Sequence, residues 1–192
     1  MNSTAMLQQL SAEVRETPRD KRVLWIFDFD DTLVMSDSVI HVTAADGHKF
    51  DLTPAQFAVY ERQPGDVFDY SDFQKLINPR PIRWLNLLFR LVFETLGHEK
   101  VTVLSARCAP DPIKEYLRLI GLDNIEVVTV DNGSPVLKMA WVIEAIRTRK
   151  LEEVVFFDDS PKNVQAIAQI RELYPHVTIK SWHVAGESAS LV

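Results

Sequence analysis

The chain has 192 residues, of which 46% are hydrophobic and 25% charged, a composition that excludes disordered and fibrous classes and fits one globular unit with an ordinary core. Twenty-one Lys and Arg against 27 Asp and Glu leave a net charge of −6, which argues against coating of nucleic acid by bulk electrostatics but leaves room for a local phosphate site. The single cysteine, Cys108, rules out an internal disulfide and a multi-cysteine zinc site, so a reducing compartment is expected and the fold must hold without staples.

Residues 1–22 mix Glu13, Arg15, Glu16, Arg19, Asp20, Lys21 and Arg22 and lack the apolar run of about 7 to 15 residues that a signal peptide needs. A cytoplasmic location is therefore expected, with this head as a frayed or loosely docked arm. Residues 23–27 form a short apolar run bounded by charges, as in a strand buried on both faces. The segment from about 35 to 80 breaks the rhythm of the chain. Residues 39–43 and 49–52 flank an Ala44-Ala45-Asp46-Gly47 turn and predict a hairpin. Thr53-Pro54-Ala55-Gln56 is a capping box that opens a helix to about Arg62, and residues 65–78 read as a loop with one helical turn.

Residues 82–96 have the spacing of an amphipathic helix and fall short of the roughly 20 residues of a membrane span, so no membrane association is expected. Three further apolar runs, 101–104, 125–130 and 154–157, predict strands, and a last strand is expected near 177–184. Between them, Asp111 with Pro112 reads as an N-cap and first-turn proline, Gly121 as a stop, and Ser160 with Pro161 as a second helix start. Strands alternating with helices predict an α/β fold over residues 23–192: a three-layer, Rossmann-like parallel sheet carrying a small hairpin-and-helix insertion after its first strand.

Open α/β sheets bind ligands beyond the carboxyl ends of their strands. Those positions hold Asp28-Phe29-Asp30-Asp31-Thr32 after the first strand, Ser105-Ala106-Arg107 after the second and Asp158-Asp159 after the fourth. At least four carboxylates converging on one sheet edge are costly unless a cation neutralises them, and Mg²⁺ suits a site of a few carboxylates that retains waters.

Asp28-x-Asp30-x-Thr32 behind a hydrophobic strand, Ser105 behind a second, Lys138 before a helix and Asp158-Asp159 behind a later strand resemble the four motifs of the haloacid dehalogenase superfamily. The resemblance spans about residues 23–184, and the insertion stands where that family carries its variable cap. It implies an Mg²⁺-dependent phosphatase working through an aspartyl-phosphate. Asp28 would be the nucleophile and Asp30 the acid and base, while Ser105 would donate to a phosphoryl oxygen and Lys138 would neutralise charge. The metal would be held by the Asp28 carboxylate, the Asp30 main-chain carbonyl and Asp158 or Asp159. Thr32 and Arg107 would serve the substrate side, Thr32 by securing the loop and Arg107 by forking onto a substrate phosphate.

An acid at Asp30 implies phosphomonoester hydrolysis or mutase chemistry, since the dehalogenases and ATPases of the family lack it. The insertion is too small for a mutase that excludes water. Ser105-x-Arg107 is similar to the phosphatase half of polynucleotide kinase-phosphatases, which implies nucleic-acid or nucleotide 3′-phosphate ends as substrates. Other nucleotides, sugar phosphates and phosphoproteins also suit the motifs, as does a binding module that kept the fold without turnover. Competing chemistries are poorly served. Position 114 is Lys114, so Cys108 lacks the arginine a thiol phosphatase needs six residues on; there is no P-loop, and the five histidines show no His-Glu-x-x-His. Asp66, Asp69 and Asp72 lack the spacing of a calcium loop.

Overall fold

The computed structural model describes residues 3–192. In chain order it runs α1 (Ser3–Glu16), β1 (Val23–Phe27), β2 (Val34–Met35), β3 (Ile40–Thr43), β4 (Lys49–Leu52), α2 (Pro54–Val59), β5 (Val67–Asp69), a 3₁₀ turn (Ser71–Gln74), β6 (Arg80–Pro81) and α3 (Arg83–Leu96). A second 3₁₀ turn (His98–Lys100) leads into β7 (Val101–Ser105), α4 (Asp111–Leu119), β8 (Glu126–Thr129), α5 (Pro135–Arg149), β9 (Glu153–Asp158), α6 (Pro161–Leu173), β10 (Thr178–Ala185) and β11 (Ser188–Leu191).

All five residues of β1 are buried, because successive side chains point to opposite faces and both faces are covered. Val23, Trp25 and Phe27 join Met6, Leu10, Leu85, Phe89 and Ile113 on one side. Leu24 and Ile26 join Val142, Ile146, Val164 and Ile167 on the other. The result is an α/β sheet flanked by helices on both faces, six strands in the order β11-β10-β9-β1-β7-β8, with every pairing parallel except β10 with β11. Chain order reverses at β1, which pairs with β7 on one side and β9 on the other. The crevice that such a reversal opens at the carboxyl ends of the strands lies between Asp28 and Asp158.

Several expectations need correction. The head is no frayed arm: α1 buries Met6, Leu10 and Val14, spaced four apart, against the face that α3 covers. Glu13 at its far end pairs with Lys180, which also pairs with Glu153 at 2.7 Å, and Lys21 pairs with the same glutamate. The last strand is followed by β11, which folds back over Gly186 at φ 58°, a left-handed turn that glycine adopts without penalty. Helix α4 starts at Asp111 with Pro110 at the cap position, so Asp111 is its first residue and supplies no side-chain cap. Lys138 lies within the first turn of α5 and not before it.

The insertion leaves and rejoins the core through the antiparallel pair β2 and β6, with Val34 opposite Pro81. It contains a three-stranded sheet ordered β4-β3-β5 and the short α2, whose capping box forms between Thr53 and Gln56. Residues 67–69, expected within a loop, are the strand β5, and α2 stops at Val59, short of Arg62. Phe50, Phe57, Tyr60, Phe68 and Tyr70 pack ring against ring as its own small core. Among the described residues no helix is long and apolar enough to cross a membrane.

Candidate active site

The backbone N–H of Asp28 donates to the Phe157 carbonyl at 2.9 Å, extending the β1–β9 ladder by one residue and placing the carboxylate at the mouth of the crevice. The chain then turns sharply. Asp31 takes φ 55° and its N–H donates to the Val34 carbonyl, while Leu33 and Val34 both donate to the Phe29 carbonyl at 2.9 Å. Aspartate tolerates this left-handed conformation better than most residues, which fits two acids in succession at the turn.

Lys138 reaches in from α5 and is almost wholly buried, at 2% exposure. Its ammonium donates to Asp28 Oδ1 at 2.6 Å and to Asp158 Oδ2 at 2.8 Å, bridging the ends of β1 and β9. Asp158 is held on every side: the Ser160 N–H donates to Oδ1 at 2.8 Å and the Asn163 amide donates to both oxygens at 3.0 Å. Ser160 in turn caps α6 through the Asn163 N–H. Asn163 had no place in the sequence reading; the available signal was its position three residues after a capping serine, on the turn that faces the strand end.

Asp159 differs from its neighbour. Its backbone N–H donates to Thr32 Oγ1 at 3.0 Å and its carbonyl lies 2.9 Å from His183 Nε2, so main-chain contacts fix the residue and leave the carboxylate free. Thr32, wholly buried, is therefore a tie between the two acidic loops. Carboxylate oxygens of Asp28, Asp158 and Asp159 all lie within 4.8 Å of one another. Burial pushes Asp28 up to about 7, against the attraction of Lys138, with repulsion from Asp158 and Asp30 adding to the rise. Burial followed by the charges of Asp28 and Asp158 pushes Asp159 up to about 8. For Lys138 burial works downward, but the two aspartates outweigh it and raise the ammonium above its ordinary value.

The second half of the site stands beside the first, close enough for the Asp30 charge to contribute to the rise at Asp28. Ser105, the last residue of β7, is buried, and its hydroxyl oxygen accepts the Arg107 N–H at 3.2 Å, leaving the hydroxyl proton available to donate. Arg107 departs from expectation. Its Nε and Nη2 donate to the two oxygens of Asp30 at 2.8 and 2.7 Å, and Nη1 donates to the carbonyls of Phe73 and Lys75 at 2.8 and 3.0 Å. The fork expected to meet a substrate phosphate is committed within the protein.

Four carboxylates, Asp28, Asp30, Asp158 and Asp159, thus stand against two cations, Lys138 and Arg107, so that full ionisation leaves two negative charges in excess. That imbalance, in a cluster of largely buried carboxylate oxygens, fits a hard divalent cation held by Asp28, Asp158 and Asp159. A groove of about 600 Å³ at the opposite, amino-terminal edge of the sheet is a weaker candidate: its Arg22 and Arg149 already pair with Glu152 and Glu126. Compared with models of known protein families and with curated protein sequences, the chain has no match in either.

Proposed function

We propose that the chain is an Mg²⁺-dependent phosphomonoester hydrolase of the haloacid dehalogenase type, with the insertion as its cap and nucleic-acid or nucleotide 3′-phosphate ends among its substrates. One observation carries the reading. A buried carboxylate at the end of β1, Asp28, stands 2.6 Å from an ammonium within a cluster of three carboxylates, and a second acid follows two residues on.

In this reading the Asp28 carboxylate attacks phosphorus, and the ester P–O bond breaks with its electron pair passing to the leaving oxygen. Asp30 supplies the proton that oxygen needs. Water then attacks the aspartyl-phosphate; Asp30 accepts its proton, the P–O bond to Asp28 breaks, and the carboxylate is restored. Ser105 donates its hydroxyl proton to a phosphoryl oxygen, and Lys138 offsets the charge that gathers on Asp28 and the transferring group. A bound divalent cation supplies the positive charge that lets a phosphate dianion approach clustered carboxylates.

With Arg107 committed elsewhere, recognition of the phosphate falls to Ser105, Lys138 and the cation, none of which distinguishes one phosphomonoester from another. The small insertion, one three-stranded sheet and a six-residue helix, supports a substrate whose body extends beyond the site. The decisive experiment is a phosphate-release panel with and without chelator, with Asp28→Asn as the blank. It should include p-nitrophenyl phosphate, nucleoside 3′- and 5′-monophosphates, an oligonucleotide 3′-phosphate and sugar phosphates. Release that requires Mg²⁺ and Asp28 supports the hydrolase, and preference for the 3′-phosphates supports the substrate class. Equal release by the Asp28→Asn protein would remove the reading.

A further inference from the structure

Arg107 links three parts of the molecule. Its backbone follows β7, its fork holds both oxygens of Asp30, and its remaining amino group holds the Phe73 and Lys75 carbonyls of the insertion. A guanidinium carries five N–H bonds, and the protein occupies four of them. The guanidinium also lies over two rings, 5.6 Å from the centroid of Phe29 and 5.2 Å from that of Phe73. Phe29 separates Asp28 from Asp30 in the chain, and Phe73 belongs to the 3₁₀ turn of the insertion.

We propose that Arg107 is a positioning residue that fixes the Asp30 carboxylate and couples it to residues 73–75 of the insertion, so that the insertion helps to set acid catalysis. This rests on reading Asp30 as the acid and base. A carboxylate has about four lone-pair sites; the fork takes one on each oxygen and leaves one on each for a leaving oxygen or a water. A bidentate partner also removes rotation about the carboxylate, which proton transfer over a hydrogen-bond distance requires.

The competing role, a fork that swings onto the substrate phosphate, requires the guanidinium to abandon Asp30 and two carbonyls together. The Arg107 side chain is only 1% exposed, and the groups it left would have no other donor among their described contacts. The shared fastening also explains why the insertion approaches the site by the carbonyls of residues 73 and 75: a cation already anchored on Asp30 is the donor they meet.

The test compares wild type, Arg107→Ala, Arg107→Lys and Phe73→Ala in single-turnover formation of the phospho-enzyme. Two substrates are needed, p-nitrophenyl phosphate, whose leaving group needs little protonation, and glycerol 2-phosphate, whose alkoxide needs it fully. KM and inhibition by inorganic phosphate are measured alongside. Loss of positioning predicts that Arg107→Ala slows the alkyl phosphate on the order of tenfold more than the aryl phosphate, with KM and phosphate inhibition within about twofold of wild type. Arg107→Lys, which restores charge but no fork, should recover part of that selective loss. Phe73→Ala should move the same ratio in the same direction by a smaller factor.

A KM and phosphate inhibition constant that rise together by roughly tenfold, equally for both substrates, would make Arg107 a phosphate ligand and overturn the proposal. An equal fall in rate on both substrates, or an unchanged ratio in Phe73→Ala, would overturn it as well. If Arg107→Ala does not fold, Arg107→Lys and Phe73→Ala decide by the same ratio. Absence of Asp28-dependent turnover in wild type would instead remove the phosphatase reading itself, a result distinct from any of these.

Discussion

Asp28→Asn should stabilise the cation-free protein, by an amount that depends on pH. Burial raises the Asp28 carboxyl from 3.8 to about 7, against the attraction of Lys138. The folded chain therefore keeps a proton that the unfolded chain has released, and stability falls as pH climbs from 3.8 through about 7. A rise of about three pH units corresponds to a ceiling of about 4 kcal/mol above pH 7. At 2–4 °C per kcal/mol for a chain of this size, the ceiling is roughly 10 °C in Tm. Asparagine does not titrate, so the variant escapes this loss, and Lys138 keeps Asp158 as a partner at 2.8 Å. Thermal melts in chelator should show the two proteins alike near pH 4, a gap that opens toward pH 7, and a plateau beyond. Adding Mg²⁺ should raise wild type more than the variant and narrow the gap. A gap that is the same at every pH, or a variant that melts below wild type at pH 8, would mean that attraction to Lys138 outweighs the cost of burying the Asp28 charge.

Lys138→Met leaves Asp28 and Asp158 buried without their shared cation, and should cost about 3–5 kcal/mol in urea melts at neutral pH along with all turnover; a cost under about 1 kcal/mol would show that other groups compensate them. Leu10→Ala opens a cavity beneath α1 and should cost about 2–5 kcal/mol while leaving kcat per folded molecule unchanged below the transition. Indifference to that change would mean that α1 does not dock in solution. At Glu153 burial works upward, but Lys180 and Lys21 outweigh it and hold the carboxyl below its ordinary 4.5. Its stabilisation is present above that value and lost as pH falls, so the Tm difference between wild type and Glu153→Gln should close in acid, the opposite slope to Asp28→Asn.

The pattern of apolar runs ending in acids was legible because it is local. A strand buried on both faces writes itself as consecutive apolar residues, and a parallel sheet delivers whatever follows those runs to one edge. That logic places Asp28, Asp158, Asp159 and Ser105 at one sheet edge from the sequence alone, and the capping box at Thr53 and Gln56 is equally local. Short edge strands write much less. Residues 67–69 carry one apolar ring between an exposed valine and an aspartate, and β11 is Ser-Ala-Ser-Leu, so neither shows an alternation long enough to read. Helix α1 was hidden for another reason: its buried apolar stripe is Met6, Leu10 and Val14, and the polar residues between them dominate a local window.

Which acid stays free, and what Arg107 holds, were decided by the tertiary structure alone. Asp158 and Asp159 are indistinguishable as a pair of letters. They part only when Asn163, Ser160 and Lys138 converge on one and the Thr32 hydroxyl fixes the backbone of the other. Arg107 meets Asp30 across 77 positions and the Phe73 carbonyl across 34. No local propensity records such a pairing, because what selects it is the cost of leaving a buried charge unpaired, and its partners are groups that only the folded sheet and its insertion bring within reach.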